Sequence, residues 1–373
     1  MTKKYSIVYA FVISVIIFLC MVIFVILPKK DFSEKEKRPL KPIPPLTVSA
    51  LSEGSFLSDM DSYLVDHFPG RDFFISLHAG INFVMCQNEK SGIYLGKDGY
   101  LFPIPADKMQ MDYSQSNLSI LKKFIDDNKL YTDIIIVPYA GYVLQSKLPL
   151  NHQRYFDEEL LSMVKDANIG NLINLTQRFR EENRQVYYKT DHHWTTYGAY
   201  IAYCEYAKAQ GFSPLPQDSF NIETISGFYG TSYAKNMLWG ISPDTIELWH
   251  NMSTKLKVTI YDYDSEQIYD SLYFYDKLDT YDKYAVFLNE NHGRVMIENE
   301  DADGGTLLLL KDSFANALVP FLSNHFSRII MIDMRYFGFQ SVSEVVKEYR
   351  IDKLLLVYGA DTFVTDKNLL KLK

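Results

Sequence analysis

Four consecutive leucines, Leu307-Leu308-Leu309-Leu310, constrain the fold of this chain most. A strand apolar at every position has no face to give to water, so it belongs inside a sheet covered on both sides. Three more stretches share the character: residues 131–139, carried by Ile134, Ile135, Ile136 and Val137, and residues 328–333 and 353–358. Between them lie helical patterns at 116–128, 158–167, 315–325 (bent by Pro320) and 341–349. Strands alternating with helices predict an α/β fold with a largely parallel sheet. The 373 residues suffice for one large domain or two small ones.

The chemistry concentrates in Thr190-Asp191-His192-His193-Trp194. A helix follows, capped by Thr195 or Thr196, with an apolar face through Tyr200, Ile201, Cys204 and Ala207, and stopped by Gly211. In extended chain, residues i and i+2 share a side. Asp191 and His193 would then meet, with His192 pointing away. Asp-x-His in that geometry is a base with a carboxylate that holds its tautomer. The nucleophile candidate is Ser313 in Lys311-Asp312-Ser313, at the turn after the leucine run. A serine at a strand-to-helix turn is exposed and faces backbone N–H groups able to hold an oxyanion. The plainer alternative has Asp191 and His192 capping the helix and His193 as a core histidine. A third makes Asp191, His192 and His193 metal ligands, but no partner cluster accompanies them, so no metal and no cofactor are expected.

The strings Tyr187-Tyr188-Lys189-Thr190-Asp191-His192-His193-Trp194 and Leu310-Lys311-Asp312-Ser313 resemble the signatures of the bacterial DHHW protein family. That family is similar to the alginate O-acetyltransferases, which have a permuted SGNH-hydrolase fold with Asp-x-His ahead of the nucleophile. Four other segments resemble family elements: Phe68-Pro69-Gly70-Arg71-Asp72, the hairpin at 92–102, Phe228-Tyr229-Gly230-Thr231 and Asp282-Lys283-Tyr284. The resemblance implies an SGNH-hydrolase-like three-layer fold. It implies Ser313 as nucleophile, His193 as base and Asp191 as its partner. The implied reaction is O-acetyl transfer, through an acyl-serine, to hydroxyls of a cell-surface polysaccharide. The implied acyl source is a membrane-bound O-acyltransferase. Carbohydrate deacetylation and a non-catalytic polysaccharide-binding scaffold are the alternatives. Where relatives tend to carry Gly-Gly-Asn, this chain has Asn289-Glu290-Asn291, and Asn291 is the candidate oxyanion donor. Arg335 and Tyr139, at the ends of buried strands, are candidates for substrate binding, with an ion pair and packing as their plainer roles.

Residues 5–27 carry no charge, enough to span a bilayer as a helix. Residues 1–30 are expected to form an uncleaved single-pass anchor, 31–46 a proline-rich spacer, and 47–373 the main domain, with a strand-rich insertion at 212–292. Lysines flank both ends of the span, so charge alone does not orient it. The resemblance places the domain outside the cytoplasm, at the cell membrane. The net charge is −8, with no P-loop, no Rossmann fingerprint and no basic stripe, which speaks against nucleic acid as a partner. Cys86 and Cys204 are read as free thiols, with pairing as the alternative.

Overall fold

The structure, a computed structural model, describes residues 3–85, 89–107, 111–251, 255–262, 265–338 and 340–372. The chain divides into two compact units. The first comprises Met1–Gln87 with Asn236–Gly240, and the second Asn88–Lys235 with Ile241–Lys373. The expected domain start near Thr47 falls inside the first unit.

In the first unit, helix α1 (Lys3–Ile26) is apolar along its length, with exposed side chains. It is the one helix among the described residues long and apolar enough to cross a membrane. Helices α2 (Ser55–Asp66) and α3 (Arg71–Val84) follow, broken at Pro69-Gly70 as the sequence predicts. The spacer is less extended than expected. Phe32–Ser33 pairs antiparallel with Arg38–Pro39, and charges pin the pair down. Arg38 Nη1 donates to Asp66 Oδ2 at 2.9 Å, and Arg71 Nη2 donates to Glu36 Oε1 at 3.0 Å. The Arg38 hydrogen bond holds the Asp66 carboxyl down at about 2. Arg71 is thus part of a structural ion pair.

The second unit is built on an eight-stranded sheet. Its strands are β1 (Tyr131–Val137), β2 (Asn171–Leu172), β3 (Leu256–Asp262), β4 (Ser265–Tyr269), β5 (Arg294–Asn299), β6 (Thr306–Lys311), β7 (Arg328–Ile332) and β8 (Lys353–Gly359). Their spatial order is β4-β3-β5-β7-β6-β8-β1-β2. From β7 to β2 every pairing is parallel, with Leu309 opposite both Met331 and Leu355. The β4-β3-β5 end is antiparallel. Part of the expected insertion, β3 and β4, therefore extends the main sheet. Its remainder includes a hairpin of Phe220–Phe228 with Asp244–Asn251.

Both faces of the sheet are covered. Leu307 and Leu309 pack with Ala317, Leu318 and Phe321 of α7 (Ala315–Leu322) and with Ala199, Tyr200 and Tyr203 of α6 (Thr196–Gln210). Leu308 and Leu310 face a separate core. It includes Phe124 of α4 (Met111–Asn128), Leu160 of α5 (Asp157–Asp166), Val345 of α8 (Val342–Tyr349) and Phe363 of α9 (Ala360–Thr365). This is the expected three-layer α/β arrangement. Burying each leucine is worth about 1.5–3 kcal/mol, which explains an unbroken run of them. Helix α6 departs from the one-sided pattern. Tyr197, Ala199, Tyr200, Ile201, Ala202, Tyr203, Tyr206 and Ala207 are all buried, so it is covered nearly all round. Its caps are as expected: Thr195 accepts from Gly198 N, and Gly211 is left-handed.

Candidate active site

Ser313 sits at the C-terminal end of β6, in a tight turn before α7. Asp312 builds that turn. Its Oδ1 accepts from Phe314 N at 3.0 Å and its Oδ2 from Gly359 N at 2.7 Å, which ties the turn to β8. Burial pushes the Asp312 carboxyl up to about 6, against those two backbone donors. With its oxygens so engaged, Asp312 shapes the turn while the Ser313 hydroxyl is left partly exposed.

The base arrives on a separate loop. Tyr187 and Trp194 form an isolated antiparallel bridge, and Tyr188 N donates to His193 O at 3.1 Å. Asp244 braces the bend between them. It accepts from Lys189 N at 3.0 Å, Thr190 N at 2.7 Å and Thr190 Oγ1 at 2.6 Å. The Trp194 indole is fully buried, and its Nε1 donates to Phe314 O at 3.0 Å.

These supports bring Ser313, His193 and Asp191 together. Ser313 Oγ lies 2.7 Å from His193 Nε2, and His193 Nδ1 lies 2.6 Å from Asp191 Oδ1. An ionised carboxylate only accepts, so His193 carries its proton on Nδ1 and offers the Nε2 lone pair to the serine. Asp191 Oδ1 also accepts from His193 N at 3.0 Å, and Oδ2 from Thr231 N at 2.6 Å and Thr231 Oγ1 at 3.0 Å. Burial lowers the His193 imidazole to about 4, helped by neighbouring His192 and opposed by Asp191. The ring is neutral at pH 7 and able to take a proton.

The chain is not extended here, contrary to the expectation from its sequence. Residues 189–193 form a bend, and the Asp191–His193 contact is made within it. His192 does not simply point away. Its ring centroid lies 3.9 Å from that of His193, and its Nδ1 lies 2.8 Å from Thr231 Oγ1. Thr231 gives its one hydroxyl proton to Asp191, so His192 Nδ1 is the donor in that contact. Asp191, His192 and His193 offer ligand atoms within 4.8 Å of one another. In this arrangement those of Asp191 and His193 are occupied by Thr231 and Ser313, with which a cation would compete.

Two sequence elements acquire a physical meaning here. A Cβ on Gly230 would collide with the Asp191 carboxylate, so Phe228-Tyr229-Gly230-Thr231 needs glycine for Thr231 to reach the aspartate. Tyr284, of Asp282-Lys283-Tyr284, stacks on His193 with centroids 4.0 Å apart and planes 8° from parallel. Its hydroxyl donates to Ser313 O at 3.3 Å. Tyr284 received no role from the sequence, although the motif that contains it was visible.

Asn291 lies on a loop with three successive left-handed residues, Leu288 (φ 62°), Asn289 (φ 57°) and Glu290 (φ 84°). Asn289 and Glu290, the two positions read above as departing from the family pattern, thus have the backbone that glycine adopts most readily. Such a conformation costs a non-glycine residue about 1–2 kcal/mol. Backbone bonds from Leu288 N to Leu272 O (2.9 Å) and Glu290 N to Ala285 O (3.3 Å) hold it. Asn291 Oδ1 accepts from Lys311 Nζ at 2.9 Å. The other two candidates are engaged in structural contacts, Arg335 beside the end of β6, where its partner Asp333 also lies 3.6 Å from Lys311 Nζ. Arg335 pairs with buried Asp333 through Nε (2.9 Å) and Nη2 (2.6 Å). The Tyr139 hydroxyl accepts from Ala106 N at 3.2 Å, and the strand that precedes it, β1, is separated from β6 by β8. Cys204 is free and partly buried, and Cys86 lies outside the described residues.

Residues 155–332 match the model of the DHHW protein family, a span that holds both Asp191–Trp194 and Ser313. The resemblance read from those motifs stands on this match. No curated protein matches the chain. Among solved structures, a DHHW family protein from Eubacterium siraeum is 22% identical with a TM-score of 0.67, covering 76% of this chain and 96% of its own. Bacillus cereus PatB1, solved with a sulfonyl adduct, is 21% identical with a TM-score of 0.62, covering 75% and 98%. The O-acetyltransferase domain of Pseudomonas putida AlgJ is 15% identical with a TM-score of 0.48, covering 76% and 95%. These likenesses concern the fold.

Proposed function

We propose that this protein is a serine O-acetyltransferase that acts on hydroxyls of a cell-surface polysaccharide outside the cytoplasm, held at the membrane by α1. One observation carries the reading: the continuous chain Ser313 Oγ–His193 Nε2, His193 Nδ1–Asp191 Oδ1, at 2.7 and 2.6 Å. A serine hydroxyl is a weak nucleophile until an adjacent base takes its proton. As Ser313 Oγ bonds to the acetyl carbon of the donor, its proton moves to His193 Nε2. Asp191 stabilises the imidazolium, and in this reading the Asn291 amide donates to the oxyanion. The donor's leaving group departs with the proton from His193, which leaves acetyl-Ser313. A sugar hydroxyl then gives its proton to His193 and attacks the acetyl carbon; the bond from that carbon to Ser313 Oγ breaks as His193 returns the proton to Oγ, which restores Ser313. A membrane-bound O-acyltransferase is the acyl source that fits this scheme, since two proteins confined to one membrane meet at high effective concentration.

The direct test treats the detergent-solubilised full chain with a chromogenic acetyl ester or an aromatic sulfonyl fluoride, followed by peptide mass spectrometry. A single adduct on Ser313, absent in Ser313→Ala, is expected. An unlabelled Ser313 would sink the reading. Release of acetate in place of acetyl-oligosaccharide, when acceptor sugars are added, would make the protein an esterase.

A further inference from the structure

Lys311 closes strand β6 and is 1% exposed, a charged side chain at the end of a leucine run. Its Nζ donates to Asn291 Oδ1 at 2.9 Å and to Asn316 Oδ1 at 2.8 Å, and lies 3.6 Å from Asp333 Oδ2. Asn316, in the first turn of α7, donates through Nδ2 to the same Asn291 oxygen at 3.2 Å. It also reaches Glu290 O, on the left-handed loop, at 3.4 Å. Lys311 and Asn316 flank Ser313 in the chain, two residues before it and three after. The pair therefore straddles the nucleophile turn and grips one atom of the residue opposite.

A carboxamide whose oxygen is held by two donors has one orientation. Flipping it would set its NH2 against Lys311 Nζ and Asn316 Nδ2, donor against donor. The grip fixes the Asn291 NH2 on the side away from Lys311. Packing alone does not call for an ammonium here, because an apolar side chain fills such a place without the desolvation penalty. An apolar side chain cannot donate to Asn291.

We propose that Lys311 is a positioning residue of the acyl-transfer site: together with Asn316 it locks the Asn291 carboxamide so that its NH2 donates to the oxyanion formed at Ser313. This rests on the serine acyl-transfer reading above. The left-handed loop brings Asn291 to the pair, and the pair sets the amide's direction.

The test uses the full-length chain in detergent, a chromogenic acetyl ester and three variants. Lys311→Met is expected to lower kcat by about 100-fold with KM unchanged, the loss seen when an oxyanion donor is removed. Asn291→Asp keeps the oxygen that Lys311 grips and deletes the NH2, and is expected to fall by a similar factor. The double variant is expected to be no worse than either single one, because both remove the same donor. If Lys311→Met does not fold by thermal melting, Asn316→Ala carries the test, with an expected fall of about tenfold in kcat and none in affinity. Unchanged kcat in a folded Lys311→Met or Asn316→Ala protein, or losses that multiply in the double variant, would overturn the inference. The Ser313 adduct separates the two failures. No adduct on the unsubstituted chain defeats the acyl-transfer reading itself, and with it the role of Lys311. An adduct with undiminished turnover in Lys311→Met defeats the positioning role alone.

Discussion

The Trp194 indole N–H donates to the Phe314 carbonyl at 3.0 Å and joins two loops 120 residues apart in the chain. One loop carries the base and the other the nucleophile. The 2.7 Å His193–Ser313 contact is thus held by a buried hydrogen bond one residue further along on each side.

Trp194→Phe keeps a ring and removes that donor, leaving the Phe314 carbonyl buried without it. The expected cost is about 1–3 kcal/mol of stability. Turnover of an acetyl ester should fall roughly 10–100-fold in kcat through loosened alignment. Wild-type kcat in a folded variant would show that the two loops align without the indole.

Ser313, His193 and Asp191 should behave as one unit. Ser313→Ala and His193→Ala should each cost nearly as much as the triple change, on the order of 10³–10⁶ in kcat. His192→Ala, which removes the contact to Thr231 and the ring beside His193 but no member of the proton-transfer chain, should keep most of the activity. A folded His192→Ala protein without turnover would reassign the base.

The pH profile follows from the His193 environment. Its imidazole is lowered to about 4, so kcat/KM should climb as pH rises through about 4 and be level well before 6.5. Burial sets this value first, His192 adds to it, and Asp191 and Asp282 oppose it, with Tyr284 stacked on the ring. A half-maximum near 6.5 would mean that water reaches the ring. The same group contributes to stability with a definite sign. The unfolded chain binds the proton more tightly, so the contribution is present above the unfolded value near 6.5 and lost as pH falls towards about 4.

Thr231→Val is nearly isosteric and removes one of the donors to Asp191 Oδ2, the 3.0 Å hydroxyl contact. A fall of about tenfold in kcat is expected, with little change in melting temperature. Gly230→Ala, forced against the Asp191 carboxylate, should lower both. An active and stable Gly230→Ala protein would show that the carboxylate tolerates displacement.

Asn289→Gly places glycine at a position with φ of 57°. Relief of the left-handed cost should raise stability by about 0.5–1 kcal/mol, measured by thermal or denaturant unfolding, with activity retained. A loss of stability would mean that the Asn289 side chain itself holds the loop.

The sheet was legible because strands such as 307–310 are apolar at every position, which only two-sided burial allows. The Asp191–His193–Ser313 chain was legible because its residues fall in short strings of distinctive type. Tyr284 and Trp194 were harder to read, since a buried aromatic looks the same whether it packs a core or aligns a base. The 288–290 loop was illegible for a sharper reason. Glycine is the usual sign of left-handed backbone, and Leu288, Asn289 and Glu290 adopt it without that sign. The environment of Lys311 was hidden because its partners Asn291, Asn316 and Asp333 come from three separate elements.

The position of β8 has a consequence for how the chain is made. It lies between β6 and β1 and pairs with both, yet it follows both in the sequence. Until residues 353–359 emerge from the ribosome, Tyr131–Val137 and Thr306–Lys311 each face an unfilled slot. Both are strands apolar on two sides, the kind of edge that seeks other chains. Long-range closure of this type is slow. Once Thr306–Lys311 has been made, both edges stay open until β8 fills the slot, and a stop codon just before residue 353 would cost the link between the two parts of the parallel sheet as well as one strand.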